Sequence, residues 1–180
     1  MRSFLAINFP EDFKERLSEE LAFLSGEKLK RVKKENIHIT LFFMGQALSL
    51  NDKERFLSLM EGLNFPSFDL SIGKAGCFKK GSFPEVLWLS LEKGENEVRS
   101  LHSSLRERLL SAGLCFSGDF IPHITVARAK GQVEPSVMER FLSLDFSGKF
   151  SFRVESFAWM ESRLSSSGPE YFKLGVKRLK

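Results

Sequence analysis

Two segments of this chain, ENIHITLFFMG and FIPHITVARAK, carry the same tripeptide, His-Ile-Thr, followed in each by a large or β-branched apolar residue. Apolar residues alternating with polar ones at a period of two describe a half-buried β-strand. In such a strand, residues i and i+2 leave the same face. His38 and Thr40 therefore point together, and Ile37, Ile39 and Leu41 point into the other side. His123 and Thr125 do the same against Ile124 and Val126. Each half of the chain must build a sheet around one such strand. The chain holds three histidines in all, and both of its threonines follow a histidine by two places.

The surrounding pattern supplies the rest of the fold. Arg2 to Asn8 reads as a short buried strand. Pro10 opens a helix with Phe13, Leu17, Leu21 and Leu24 on one stripe, and Gly26 is its expected stop. The basic stretch from Lys28 to Lys34 reads as a solvated loop, with attraction to an RNA backbone as the alternative. A strand from Ile37 to Met44 follows, and Ser49 with Asp52 forms a capping box for a helix bearing Phe56, Leu59, Met60 and Leu63. Strands from Phe68 to Phe78 and from Val86 to Leu91 flank a KKGSFP turn. A helix then carries Val98, Leu101, Leu105 and Leu109 on one face, with Gly113 at its end. A strand from Ile121 to Arg128, a helix from Pro135 to Leu142, and two long strands over 149–160 and 171–179 complete the chain. Hairpins interspersed with helices argue for an α+β fold with mostly antiparallel sheets rather than a doubly wound parallel sheet.

Composition narrows the function classes. Of 180 residues, 42% are hydrophobic and 28% charged, which allows a packed core in one compact domain over residues 1–180. A net charge of +4 permits a polyanionic partner without requiring one. No run of apolar residues approaches the roughly 18 of a membrane span. The opening MRSFLAINFP has no extended apolar region of a secretory leader, so a cytoplasmic location is expected. Cys77 and Cys115 form no CxxC pattern and read as free thiols.

Two imidazole–hydroxyl pairs suit acid–base chemistry. One histidine can withdraw a proton and the other donate one, since an unperturbed imidazole titrates near neutrality. The threonine hydroxyls can donate to charge building on an oxygen-rich centre. Phosphodiester cleavage without a metal fits this inventory, and the forked guanidinium of Arg128 could clamp the phosphate. A lone histidine on a strand is more often a packed residue, but a matched pair argues against that. No carboxylate, HxxxH or CxxC stands at ligand spacing beside either motif, so neither a metal nor another cofactor is expected. His102, off the apolar stripe of its helix, reads as a surface residue.

The two His-x-Thr motifs, in those contexts and with RSFLAINFP, FPEVLWLSL and FAWMESRLSSSGPEYFKL, resemble the 2H phosphoesterase superfamily, and within it the RNA 2′,3′-cyclic phosphodiesterases, also called 2′-5′ RNA ligases. The resemblance runs nearly end to end. It implies two pseudo-twofold-related, intertwined lobes with outer helices and a central cleft. It also implies metal-independent hydrolysis of an RNA 2′,3′-cyclic phosphate to a 2′-phosphate, with reversible 2′-5′ ligation as a second capacity. By that carry-over, His38 is the general acid on the leaving 3′ oxygen and His123 the base for water. Thr40, Thr125 and Arg128 hold the phosphate. The implied partner is RNA with a cyclic phosphate end, tRNA halves among the candidates, acted on by a monomer. A non-catalytic nucleotide-binding module and a phosphodiesterase for small cyclic nucleotides are the alternatives. The chain departs from the family's pattern at Arg31-Val32, where an aromatic residue is common, and at Glu85, where a basic one is. Phe9, Phe42 and Phe83 are candidate stacking surfaces for a base, or core and turn residues.

Overall fold

The computed structural model describes residues 2–45, 53–114, 119–166 and 168–180. Within them lie nine strands and four α-helices. They are β1 (Arg2–Asn8), α1 (Glu11–Glu20), β2 (Leu29–Arg31), β3 (His38–Gly45), α2 (Lys53–Glu61), β4 (Phe68–Lys80), β5 (Phe83–Lys93), α3 (Glu95–Ser111), β6 (Ile124–Ala129), α4 (Pro135–Leu142), β7 (Ser151–Val154), β8 (Ser156–Ser165) and β9 (Gly168–Arg178). A 3₁₀ turn at Lys34–Asn36 precedes β3. The strands run in the order β7-β4-β5-β6-β3-β1-β8-β9, with β2 added beside β6. Every strand pairing in this order is antiparallel. The fold is α+β, as the hairpin and helix pattern requires.

The sheet has a seam at its centre. β3 and β6 touch through a single pair, Ile39 with Ile124, which are the middle residues of the two His-Ile-Thr segments. Both isoleucines are fully buried. Outward from the seam the two halves correspond strand for strand: β3, β1, β8 and β9 on one side, β6, β5, β4 and β7 on the other. One register pair in place of a full ladder lets the halves splay, and a cleft opens at the seam.

Helix packing follows the apolar stripes. Val98, Leu101, Leu105 and Leu109 of α3 have no exposed surface. Burying each such side chain contributes roughly 1.5–3 kcal/mol. On α1, Phe13 stacks on Phe9 and meets Phe150 and Phe152 edge-on, so the first helix packs on the segment around β7. In turn, α3 reaches the other half: the Arg108 guanidinium donates to the backbone carbonyls of Leu59 and Gly62, at the end of α2.

Four expectations need correction. The segment 149–160 is two strands, because the chain changes partner at Glu155: Ser151–Val154 pairs with β4, and the residues from Ser156 on pair with β9 and then β1. The basic run is no simple loop; Leu29–Arg31 pairs with β6 around the buried Leu29. The strand expected from Ile121 begins only at Ile124, since Pro122 has no N–H for the ladder. Helix α1 ends at Glu20, ahead of Gly26, and a turn brings Leu21 and Leu24 into the core. The capping box of Ser49 and Asp52, and Cys115, lie outside the described residues. Cys77 is a half-buried free thiol. Among the described residues no helix is long and apolar enough to cross a membrane.

Candidate active site

The side chains that face the cleft are selected by two matching irregularities. On β3, Thr40 pairs with Ala6 and Phe42 with Leu5, so Leu41 is an extra residue, a β-bulge. On β6, Thr125 pairs with Trp88 and Ala127 with Leu87, so Val126 is the extra residue at the corresponding place. A bulge reverses the alternation beyond it. Residues at positions 0 and +2 of each motif share a face with the residue at +5, not +4. Phe42 and Ala127 turn into the core, and Phe43 and Arg128 turn into the cleft.

The cleft is a cavity of about 620 Å³, and His38, Thr40, His123, Thr125 and Arg128 all line it. The structure thus gathers around one space all five residues that the sequence points to. Each histidine is oriented the same way. Nδ1 of His38 donates to the backbone carbonyl of Asn36 (2.6 Å), and Nδ1 of His123 donates to that of Ile121 (2.7 Å). A carbonyl can only accept, so the proton of the neutral ring resides on Nδ1, and Nε2 carries the lone pair. The hydroxyl of Thr40 donates to Nε2 of His38 at 2.9 Å.

Both rings are held below the usual imidazole range. Burial pushes His38 down to about 4, and the positive charges of Lys14 and Arg128, and of His123 whenever it is protonated, add to this. Burial also lowers His123, and Arg128 reinforces this. Two neutral imidazoles, each with a fixed tautomer and beside a hydroxyl, can take or give a proton at a centre between them. An anion in the cleft would favour their protonated forms.

Aromatic walls back each histidine. Phe4 and Tyr171 lie against His38, at ring separations of 5.0 and 5.4 Å. Phe78 stands edge-on to His123 at 5.1 Å. The sequence reading missed Phe43, which is 72% exposed at the cleft. Strict alternation would put position 42, not 43, beside His38 and Thr40, and the bulge overrides that. Phe9 and Phe42 are buried core residues. Phe83 is half-exposed at the tip of the β4–β5 hairpin, outside the lining of the cleft. His102 is no plain surface residue: its ring is stacked between Phe42 (4.2 Å) and Phe120 (3.9 Å). Of the two departures from the family's pattern, Arg31 lines the cleft, whereas Glu85 is exposed beside the lining residue Val86. Among the described residues, no group of three or more His, Cys, Asp or Glu side chains is placed to hold a metal ion.

Comparison with known proteins gives a consistent assignment. The family profile described as 2′-5′ RNA ligase superfamily matches residues 9–164. An RNA 2′,3′-cyclic phosphodiesterase of Thermotoga maritima is 33% identical over 179 residues, covering 95% of this chain and 91% of the relative. Its counterpart from Archaeoglobus fulgidus is 31% identical over 180 residues, covering 98% and 99%. Among solved structures, Escherichia coli LigT in its apo form is 27% identical with a TM-score of 0.79, covering 99% of this chain and 96% of LigT. TT0787 of Thermus thermophilus shares the fold at a TM-score of 0.81 and 24% identity, covering 99% and 97%. The chain belongs to the 2′-5′ RNA ligase superfamily.

Proposed function

We propose that this chain hydrolyses RNA 2′,3′-cyclic phosphate ends to 2′-phosphates by a two-histidine mechanism that needs no metal, and that it can also join RNA ends reversibly through a 2′-5′ linkage. The observation that carries this is the Ile39–Ile124 pair at the seam, which sets two identically oriented imidazoles around one cavity. The named activity of the relatives from Thermotoga maritima and Archaeoglobus fulgidus supports the substrate class.

In this reading the cyclic phosphate lies between the two motifs. Nε2 of His123 takes a proton from water as the water oxygen bonds to phosphorus. The bond from phosphorus to O3′ breaks, and O3′ takes the proton carried on Nε2 of His38, which leaves a 2′-phosphate. One proton enters His123 and one leaves His38, so solvent exchange restores the starting state. The negative charge of the bound phosphate favours the protonated form of His38, which burial alone disfavours. Thr40 and Thr125 donate to the non-bridging oxygens, and the guanidinium of Arg128 pairs with them. The exposed ring of Phe43 offers a stacking face to the terminal base.

Joining ends follows the same steps in the same direction, with the 5′-hydroxyl of a second RNA in place of water. His123 takes the hydroxyl proton, the oxygen bonds to phosphorus, and O3′ leaves with the proton from His38, which gives a 2′-5′ linkage. The test is digestion of a defined RNA ending in a 2′,3′-cyclic phosphate, in the presence of EDTA, with the product assigned. A 2′-phosphate is expected. A 3′-phosphate product, or activity that EDTA abolishes, overturns the mechanism. Equal RNA binding by the wild type and a double-histidine variant, with no turnover by either, would make the chain a binding module. Cyclic-phosphate and 5′-hydroxyl RNA halves test the joining reaction, and absence of a joined product rejects ligation.

A further inference from the structure

A row of four residues crosses the cleft side of the sheet. Phe78 of β4 pairs with Val86 of β5, Val86 with Arg128 of β6, and Arg128 with Lys30 of β2. All four line the cavity. The row is apolar at the end where Phe78 meets His123 and cationic at the other. Directly opposed residues on one face of an antiparallel pair stand about 5 Å apart at Cβ, and like charges placed there oppose folding. Two cations side by side on a concave wall also attract anions into the space before them.

The reach of Lys30 fixes where that potential acts. Its Nζ lies 3.1 Å from the point where a Cβ on Gly168 would stand, so the ammonium extends across the cleft mouth toward the start of β9. The side-chain amide of Asn36 donates to the backbone carbonyl of Pro169 at 2.8 Å, which ties the segment after β2 to the same strand. Lys30 is therefore at the rim of the cavity, one strand beyond Arg128. The two histidines, two threonines and Arg128 suffice for one phosphate, the reacting one. A mononucleoside 2′,3′-cyclic phosphate brings only that charge. An RNA chain brings another at every linkage.

We propose that Lys30 holds the phosphodiester preceding the terminal nucleotide, so that the chain selects oligoribonucleotide ends over mononucleoside 2′,3′-cyclic phosphates. The inference rests on the proposed function and names the substrate length that the same cleft prefers.

The experiment compares kcat/KM on a mononucleoside 2′,3′-cyclic phosphate and on a trinucleotide with the same end, for the wild type, Lys30→Gln, Lys30→Arg and Arg2→Gln. Arg2 lines the same cavity from β1 and serves as the control. Lys30→Gln is expected to lose about tenfold on the trinucleotide at low salt and less than about twofold on the mononucleotide, and Lys30→Arg to keep the trinucleotide rate. The slope of log affinity against log salt for the trinucleotide should flatten by about 0.7, the value for one contact to a single strand. Equal losses on both substrates, no loss on the trinucleotide, or the loss appearing in Arg2→Gln instead would overturn the assignment. If the wild type turns over neither substrate, the proposed function falls. Binding of a trinucleotide ending in a 3′-phosphate to the wild type and to Lys30→Gln then still decides Lys30: about tenfold weaker binding by the variant supports the contact, and equal affinity rejects it.

Discussion

Phe43 stands to His38 as Arg128 stands to His123: each is five residues on, beyond a one-residue bulge, on the same cleft face. The two halves of the sheet use one backbone device to present different chemistry, an apolar ring on one wall and a guanidinium on the other. That difference gives the cleft a direction. Phe43→Ala should weaken binding of a nucleotide by about 5- to 100-fold, the range for losing one base-stacking contact. The chemical step should change little, because a phenyl ring supplies no group that gives or takes a proton. Steady-state kinetics on a 2′,3′-cyclic nucleotide separates the two: KM rises with kcat nearly constant. A fall in kcat at unchanged KM would place the ring in the chemistry.

The histidine roles are separable by the leaving group. His38→Ala and His123→Ala should each lower kcat/KM on a ribonucleotide cyclic phosphate by about 10²- to 10⁴-fold, the usual worth of a positioned acid or base. A nitrophenolate leaves without needing a proton. With bis(nitrophenyl) phosphate as substrate, His38→Ala should recover most of its loss and His123→Ala none. Recovery by His123→Ala instead would exchange the acid and the base.

Much of this site was legible because it depends on local periodicity. The alternation in IHIT and HITV puts imidazole and hydroxyl on one face whatever the tertiary context. The bounds of β1 and α4 follow from a buried alternating run and from Pro135 at a helix start. Three features depended on distant partners and stayed hidden. The bulges exist only in the pairing with β1 and β5, so nothing in the sequence marked Phe43 as the ring that faces the cleft. The partner change at Glu155 leaves no turn signal, since no Gly, Pro or Asn stands between Val154 and Ser156. The stack around His102 uses rings from β3 and from the loop before β6, neither visible from the helix itself.

The lowered histidines set a pH dependence with a definite sign. His38 and His102 are each held at about 4 by burial, against about 6.5 in an unfolded chain. Between those values the unfolded chain binds more protons, so stability is full above about pH 6.5 and declines as pH falls toward 4. Denaturant unfolding from pH 7 down to pH 4 should show this loss, and a flat profile would contradict it. Nitrogen NMR of the rings distinguishes the cleft from the core. Inorganic phosphate should raise the titration midpoints of His38 and His123, which line the cavity, and leave that of His102 unchanged. Equal movement of all three would point to a global effect of the anion.

His102 packs against the loop before β6. Its ring is sandwiched between Phe42 and Phe120 at interplanar angles of 8° and 3°. Arg99, one turn earlier on α3, donates from Nη1 to the backbone carbonyl of Phe120 at 2.9 Å. The next residue, Ile121, supplies the carbonyl that fixes the tautomer of His123. The stack therefore sits one residue from the carbonyl that holds the second histidine, and a positioning role for it is open to test. What the stack requires is a flat ring, worth about 0.5–1.5 kcal/mol per aromatic pair beyond its buried area. His102→Phe should keep both stability and activity. His102→Ala should lower kcat by about tenfold, a misplacement effect smaller than loss of the imidazole itself. The variant should also broaden or shift the Nδ1 proton signal of His123 and leave that of His38 in place. Full activity in His102→Ala with an unshifted His123 signal would reduce the stack to core packing.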